Sequence, residues 1–389
     1  MSRLTHDLMA EILCRVPYKS LCICKCVCPA WRDLIADPES RKKIVQSLAG
    51  FFYHIPADST ESRGLAVNYA DLSATYPRLP LPPDITDCSF TLKDSCDGLF
   101  LTRIGTGTPE PQFRHMVSNP ATGEYTLLPH SGYSGYAGNR SYLGFDSGVS
   151  SEEFHVFQFV QWADEHWDPP IPAVTGVNNY SSKTRAWVAM EPKWDIQVSL
   201  CSSPLGVFRK GCLHLLIHDD GLAILDAQGL KWRTIPVPNF IDPSSSGFIG
   251  KSAGQLFYID SDDRHVSAPF STISVYVLSS GIYNWDVSHL DDECTHWKLL
   301  HKLSNVIPKK KFSLGRDLKV VGVHPHANII FMADLNNNEL LAYDLDHHET
   351  TAVHHIERYC LGAYEQYFPY VPLLSSLPLD ERIRLTTPS

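Results

Sequence analysis

Four cysteines alternate through Cys22, Cys24, Cys26 and Cys28, and thiols in that number are the ligand type that holds tetrahedral zinc. The spacing points elsewhere. No C-x-x-C pair occurs in the set, and on helices these thiols would point in different directions, so they read as small hydrophobes rather than ligands. His324-Pro325-His326, His347-His348 and His354-His355 also offer metal-binding nitrogens, but nothing nearby fixes a coordination geometry and exposed loop histidines account for them. Gly247-Phe248-Ile249-Gly250-Lys251-Ser252 looks like the end of a phosphate loop, yet the first glycine of that motif would fall at 245, which is Ser245. No G-x-S-x-G elbow is present. The expectation is a chain with no catalytic set, no metal and no cofactor, hence not an enzyme.

The elements that carry these residues fall into two kinds. At the N-terminus, Leu8, Met9, Ile12, Leu13 and Val16 share one stripe of a helix, with Thr5 placed to cap it, Asp7 at the positive end of its dipole and Pro17 to end it. A second short helix fits Lys19 to Cys26. A third starts near Pro29 and carries Val27, Trp31, Leu34 and Ile35 on one face, and a short helix continues over Pro38 to Leu48. So small a unit buries too little surface alone, so its apolar remainder needs either a partner chain or the larger domain behind it.

This stretch resembles an F-box: Leu4 opens it, Glu11-Ile12-Leu13 leads to Val16-Pro17, Lys19-Ser20-Leu21 follows, and Cys26-Val27-Cys28 precedes Trp31-Arg32-Asp33-Leu34-Ile35 and Asp37-Pro38. The resemblance implies a three-helix module that binds a Skp-family adaptor and, through it, cullin-RING ligase subunits. Carried onto this sequence, Leu4, Leu8, Ile12, Leu13, Pro17, Leu21, Val27, Trp31 and Leu34 are the adaptor contacts or the core behind them. Two positions depart from the family pattern: Thr5 stands where a proline usually follows the first leucine, and Pro29 where a lysine usually follows Val27-Cys28.

The 389 residues are 43% hydrophobic and 20% charged, enough to bury a large core beside a small one. The net charge of −10 is uneven. Residues 1–43 hold eight Lys or Arg against five Asp or Glu, about +3, which leaves −13 for the rest. A basic head on an acidic body suits an acidic partner for the head and speaks against nucleic acid for the body. No apolar run approaches the roughly 20 residues that span a bilayer, and an amphipathic N-terminus bearing Asp7 and Glu11 does not read as a secretory signal. The expected location is nucleus or cytoplasm, without a membrane partner.

From Gly50 the texture changes to short apolar runs separated by turns. Cys96 to Leu101 is a turn entering a strand, His115 to Ser118 a second strand, and Asn119-Pro120-Ala121-Thr122-Gly123-Glu124 a turn feeding Tyr125 to Pro129. Weaker copies put turns near 179, 226, 278 and 344. With a first unit around 51–82, the copies add up to about six small antiparallel sheets, the pattern of a β-propeller, with a large β-sandwich as the alternative. The expected organisation is a helical module over 1–45, a propeller over 46–378 and a tail over 379–389.

Ser95-Cys96-Asp97-Gly98-Leu99, Ser118-Asn119-Pro120-Ala121-Thr122-Gly123 and Tyr142-Leu143-Gly144-Phe145-Asp146 resemble the kelch-like, F-box-associated domain of plant F-box proteins, which implies a substrate-recruiting propeller. Three long aromatic segments are the candidates for its protein-binding face: 133–142 with Tyr133, Tyr136, Arg140 and Tyr142, 162–172 with Trp162 and Trp167, and 283–297 with Tyr283, Trp285 and Trp297. Aromatic packing between blades is the competing account. Together the two resemblances imply the substrate-recognition subunit of a Skp-cullin-F-box ubiquitin ligase. A propeller enzyme or small-ligand binder with structural helices, or an F-box protein acting outside the ligase, are the other readings.

Overall fold

The computed structural model describes residues 5–14, 16, 18–37, 40, 47–55, 66–72, 77–80, 90–105, 113–132, 140–147, 150–162, 173–190, 198–201, 205–218, 221–238, 247–262, 272–279, 296–303, 318–334, 337–356 and 366–378. The head begins with α1 (His6–Cys14), capped by Thr5, whose Oγ1 accepts from the Leu8 N–H at 3.4 Å. α2 (Tyr18–Cys24) stops two residues short of the expected end. The chain tightens there: Cys26 N–H donates to Ile23 O at 2.9 Å and Val27 N–H to Cys24 O at 3.1 Å, three-residue bonds that close the helix. α3 (Pro29–Ala36) starts on Pro29, which suits a first-turn position because its missing N–H would have no partner there anyway. The helix expected over Pro38 to Leu48 lies largely outside the described residues.

After the head the described residues form six sheets. The second is built from β3 (Phe90–Cys96), β4 (Leu99–Gly105), β5 (Phe113–Asn119) and β6 (Glu124–Leu127), and the third from β7 (Arg140–Asp146), β8 (Ser150–Trp162), β9 (Ala173–Ser181) and β10 (Ala186–Met190). The fourth holds β11 (Val207–Arg209), β12 (Cys212–Ile217), β13 (Gly221–Asp226) and β14 (Trp232–Pro236). The fifth holds β15 (Phe248–Ser252), β16 (Gln255–Asp262), β17 (Thr272–Leu278) and β18 (Trp297–Leu303), and the sixth β19 (Leu318–Val323), β20 (Ile329–Asp334), β21 (Glu339–Asp344) and β22 (Glu349–His355). Each pairs its strands antiparallel in simple order, and the first strand of each lies against the first strand of the next, so these strands ring the axis of a six-bladed propeller.

The first blade corrects the expected unit over 51–82. It contains β1 (Gly50–Ile55) and β2 (Ala66–Asp71), but its inner strand is β23 (Tyr367–Tyr370) from the far end of the chain, paired Gly50↔Tyr370 through Tyr53↔Tyr367. Closure therefore joins residues more than 300 apart in sequence, and no local pattern announces it. The cores lie between blades: Phe52 packs edge-on against Phe100 at 4.9 Å, and Phe157 packs tilted against Phe208 at 6.3 Å.

The inner-strand turns Asp97-Gly98, Lys210-Gly211 and Ala253-Gly254 have positive φ at both positions (45° and 90°, 51° and 71°, 46° and 70°), the two-residue hairpin geometry that matches strand twist. At Gly98 a glycine is required twice over, because a Cβ would also lie 2.4 Å from Val371 O. That approach places the end of β23 beside the inner-strand turns. Residues 371–378 run on from there, and Leu374 enters the core of the helical head. Head and inner-strand turns thus share one end of the propeller.

Candidate functional site

In the head, Leu13, Leu21, Leu34 and Ile35 are buried with Ala10, and Met9, Val16, Cys24 and Trp31 pack around them. Leu8 and Ile12 are 52% and 48% exposed on α1, Ile23 is 65% exposed on α2, and Val27 is 60% exposed just beyond it. The stripe read from α1 is therefore divided: one edge makes the core and the other faces solvent. Of the carried-over adaptor positions, Leu8, Ile12 and Val27 are available to a partner. Leu13, Leu21 and Leu34 are the core behind them, Trp31 is half-buried between, and Leu4 and Pro17 lie outside the described residues. Ile23 was not singled out in the sequence, although it stands between Leu21 and Val27 as an apolar residue that this small core has no room for.

At the same end, the inner-strand turns of several blades meet on an ion network. Lys251 Nζ lies 3.0 Å from Asp97 Oδ2 and 3.7 Å from Asp146 Oδ1, and Asp97 Oδ2 also accepts from Ser147 N at 3.1 Å and Ser147 Oγ at 3.0 Å. Burial opposes the Lys251 charge, but the two carboxylates more than offset it and hold its pKa above the usual lysine value. Lys251, the lysine of the phosphate-loop-like string, lies on strand β15 and is committed to carboxylates. Beside it the motif residue Cys96 bonds Phe145 O through Sγ at 2.9 Å, and Asp94, just ahead of the motif, accepts from Leu143 N through Oδ2 at 2.8 Å. Asp94 is fully buried, which raises its pKa well above the carboxylate range, and burial does the same to the Cys96 thiol. The strings that carry the resemblance to the kelch-like domain thus hold two blades together.

The histidines have local partners too. His324 Nδ1 accepts from Ala327 N at 2.9 Å, His347 Nδ1 lies 2.9 Å from Asp344 Oδ2, and His348 Nδ1 is 3.3 Å from Tyr343 Oη. Cys24 and Cys28 carry free thiols, and among the described residues no group of three or more His, Cys, Asp or Glu converges.

The aromatic segments can be followed only in part. Tyr142 is 2% exposed and packs edge-on against Phe159, Arg140 Nη1 donates to Cys201 O, and Trp297 is 8% exposed with its Nε1 donating to Pro236 O at 2.9 Å. Each of these three has a contact within the propeller. Tyr136, Trp167 and Trp285, and the side chain of Trp162, lie outside the described residues. The strand ends that flank them do not share a face. β6 ends and β7 begins at the end away from the head, as do the end of β8 and the start of β9, whereas β17 ends and β18 begins at the head end.

The F-box domain family matches residues 1–43. Among curated proteins of Arabidopsis thaliana, F-box protein At5g07610 is 24% identical over 73% of this chain and 69% of its own length. Putative F-box/kelch-repeat protein At3g17280 is 25% identical over 49% of this chain and 47% of its own, and F-box/kelch-repeat protein At3g17530 is 32% identical over 39% of each. The match to these two kelch-repeat relatives thus spans less than half of their length. Among solved structures, a chain of a nidogen/laminin complex matches with a TM-score of 0.41 at 10% identity over 84% of this chain and 99% of that one. The chain carries an F-box at residues 1–43 ahead of a six-bladed propeller, and its relatives are plant F-box and F-box/kelch-repeat proteins.

Proposed function

We propose that this chain is the substrate-recognition subunit of a Skp-cullin-F-box ubiquitin ligase, docking a Skp-family adaptor with its head and a target protein with its propeller. One observation carries the reading. Four large apolar side chains, Leu8, Ile12, Ile23 and Val27, stand exposed within twenty residues of one small helical unit whose own core is already filled by Leu13, Leu21, Leu34 and Ile35. Apolar surface of that kind marks a protein-binding site. The receptor makes and breaks no bonds; it raises the effective concentration of target lysines near the ubiquitin-charged enzyme. Nucleus and cytoplasm are the compartments that suit it, since the thiols of Cys24, Cys28 and Cys212 fit a reducing environment.

Co-purification of the full chain with a Skp-family adaptor tests the reading, with wild type beside an Ile12→Asp/Val27→Asp variant. Both substitutions sit on exposed positions, so the variant keeps its fold, and circular dichroism verifies that. Binding by the wild type and its loss in the variant supports the proposal. A well-folded wild type that binds no adaptor, or a variant that binds equally well, refutes it.

A further inference from the structure

Among the described residues the outermost strand of every blade is paired on one edge only. An open edge is a template for a further strand, and charged side chains or proline are what usually blunt it. Five of the six outer strands carry such a guard: β2 ends on Asp71, β6 begins on Glu124, β14 holds Arg233 and Pro236, β18 holds Lys298 and Lys302, and β22 begins on Glu349. The sixth is β10 of the third blade, which reads Ala-Trp-Val-Ala-Met over 186–190 and has neither charge nor proline.

The unguarded edge comes with an apolar face. Val188 lies directly opposite Asn179 on β9, so their side chains share one face of the sheet, and the two-residue period puts Met190 there too. That face meets the outer turn of the fourth blade: Asn179 Nδ2 donates to Ala227 O at 2.7 Å, and Gly229 sits so close to Met190 that a Cβ there would collide with its Cε. Asp226 fixes this turn, its Oδ1 accepting from Leu230 N at 2.7 Å and Lys231 N at 3.0 Å. The turn presents Leu230, which is 74% exposed, beside Val188, which is 55% exposed. On the other face the strand is anchored, since Trp187 packs on Tyr180 at 5.3 Å and its Nε1 donates to Pro129 O at 2.8 Å. Cations stand at both ends: Lys183 is exposed in the turn before Ala186, and Lys231 is exposed next to Leu230 at the Met190 end. Glu191 and Lys193, which follow the strand in sequence, cancel in formal charge.

We propose that the open edge of β10 docks an extended segment of a partner protein, which adds a fifth strand to the third blade, lays apolar side chains on Val188 and Leu230, and carries an acidic residue at each end. Backbone hydrogen bonds along such an edge supply affinity, and the alternate side chains supply selectivity. Five residues at about 3.3 Å each separate the two cations, which sets the spacing of the acidic residues. A second copy of this chain fits poorly: antiparallel pairing of β10 with β10 would set the Lys183 end of each copy against the Lys231 end of the other, cation on cation. That the segment belongs to the recruited target rests on the receptor reading; the open edge does not.

The test uses the full chain and a fluorescent peptide, Asp-Val-Thr-Val-Thr-Val-Asp, with anisotropy as the readout. Wild type binds it, and peptides with lysine at both ends or proline in place of the central valine bind about tenfold more weakly or worse. Val188→Lys places a guard on the edge and Leu230→Ser removes the apolar neighbour, and each weakens binding by about tenfold or more. Both positions are exposed, so melting temperatures stay at the wild-type value; should Val188→Lys fail to fold, Leu230→Ser decides alone. No wild-type binding up to about 1 mM peptide, equal binding by the variants, or equal binding of the lysine-ended peptide overturns the proposal. So does a wild-type dimer in sedimentation equilibrium that Val188→Lys abolishes, which would give the edge to a second copy. Adaptor binding by the head is read separately: peptide binding without adaptor binding sinks the receptor reading and keeps the docking edge, and the reverse result sinks the docking edge alone.

Discussion

Lys251 Nζ reaches 3.0 Å to Asp97 Oδ2 and 3.7 Å to Asp146 Oδ1, so one ammonium ties the fifth blade to the second and third across the channel end that faces the F-box. A ring of blades closes by contacts between neighbours; this bond crosses the ring.

Lys251→Met removes the cation and leaves Asp97 and Asp146 facing each other in a partly buried site. Loss of one partner from a buried pair costs roughly 3–5 kcal/mol, and with the lysine side chain 26% exposed a loss of about 2–3 kcal/mol is expected. Because the folded pKa of Lys251 is raised, its stabilisation is fully present below the unfolded value and fades only as pH climbs past it. Urea melts of wild type and variant should differ by the same amount at pH 6 and pH 9. A difference that vanished at pH 6 would refute the assignment.

The acid side is governed by buried imidazoles. His115, His54 and His214 have pKa values lowered to about 3, 4 and 4, with burial the largest cause in each. A histidine whose folded pKa lies below its unfolded value stays neutral while the unfolded chain takes up its proton, so stability is present above pH 6.5 and falls as pH drops towards 4. Each histidine contributes a slope of about 1.4 kcal/mol per pH unit in that window. His115 bonds Ser141 Oγ at 2.8 Å, and His115→Gln retains a hydrogen-bonding group there. It should reduce the slope of stability against pH between 6 and 4 by about one proton; an unchanged slope would show that His115 already protonates in the fold.

Sequence made the blades legible because their turn chemistry is local. Asn119-Pro120-Ala121-Thr122-Gly123 turns as it reads: Ala121 N–H donates to Asn119 Oδ1 at 3.0 Å, Gly123 N–H to Asn119 O at 2.9 Å, and Gly123 takes φ 76°. What the turn does beyond reversing the chain was hidden, since the Asn119 amide spends its donors on Leu373 O and Ser375 O, more than 250 residues away. The same distance hid β23 as the inner strand of the first blade. In the head, periodicity placed apolar residues on α1 but could not tell Leu13, which the core takes, from Ile12, which it leaves out; that division depends on where α3 lies.

Asn119 makes the C-terminal segment a strap. Its Nδ2 donates at 2.9 Å to Leu373 O and 2.8 Å to Ser375 O, and Glu124 Oε2 accepts from Leu377 N at 2.6 Å. Asn119→Ala strands two carbonyls and should cost about 2 kcal/mol, with residues beyond Tyr370 becoming a site of early cleavage in limited proteolysis. Cleavage at wild-type rate would mean that the segment is held by something else.

The strap also reaches the head, and this separates two kinds of substitution there. Leu374 packs with Leu13, Leu21 and Leu34, and the Lys25 ammonium donates to Leu374 O at 2.9 Å. Leu13→Ala empties a buried site and should destabilise the head by about 2–5 kcal/mol, so any loss of adaptor binding comes through unfolding. Ile12→Ala removes a side chain that is 48% exposed and should change stability by less than about 0.5 kcal/mol while weakening the adaptor complex. Hydrogen exchange on the head amides tells the two apart: accelerated exchange in Leu13→Ala, native rates in Ile12→Ala. If Ile12→Ala exchanged as fast as Leu13→Ala, the exposed residue would belong to the core after all, and the apolar face proposed for the adaptor would lose its centre.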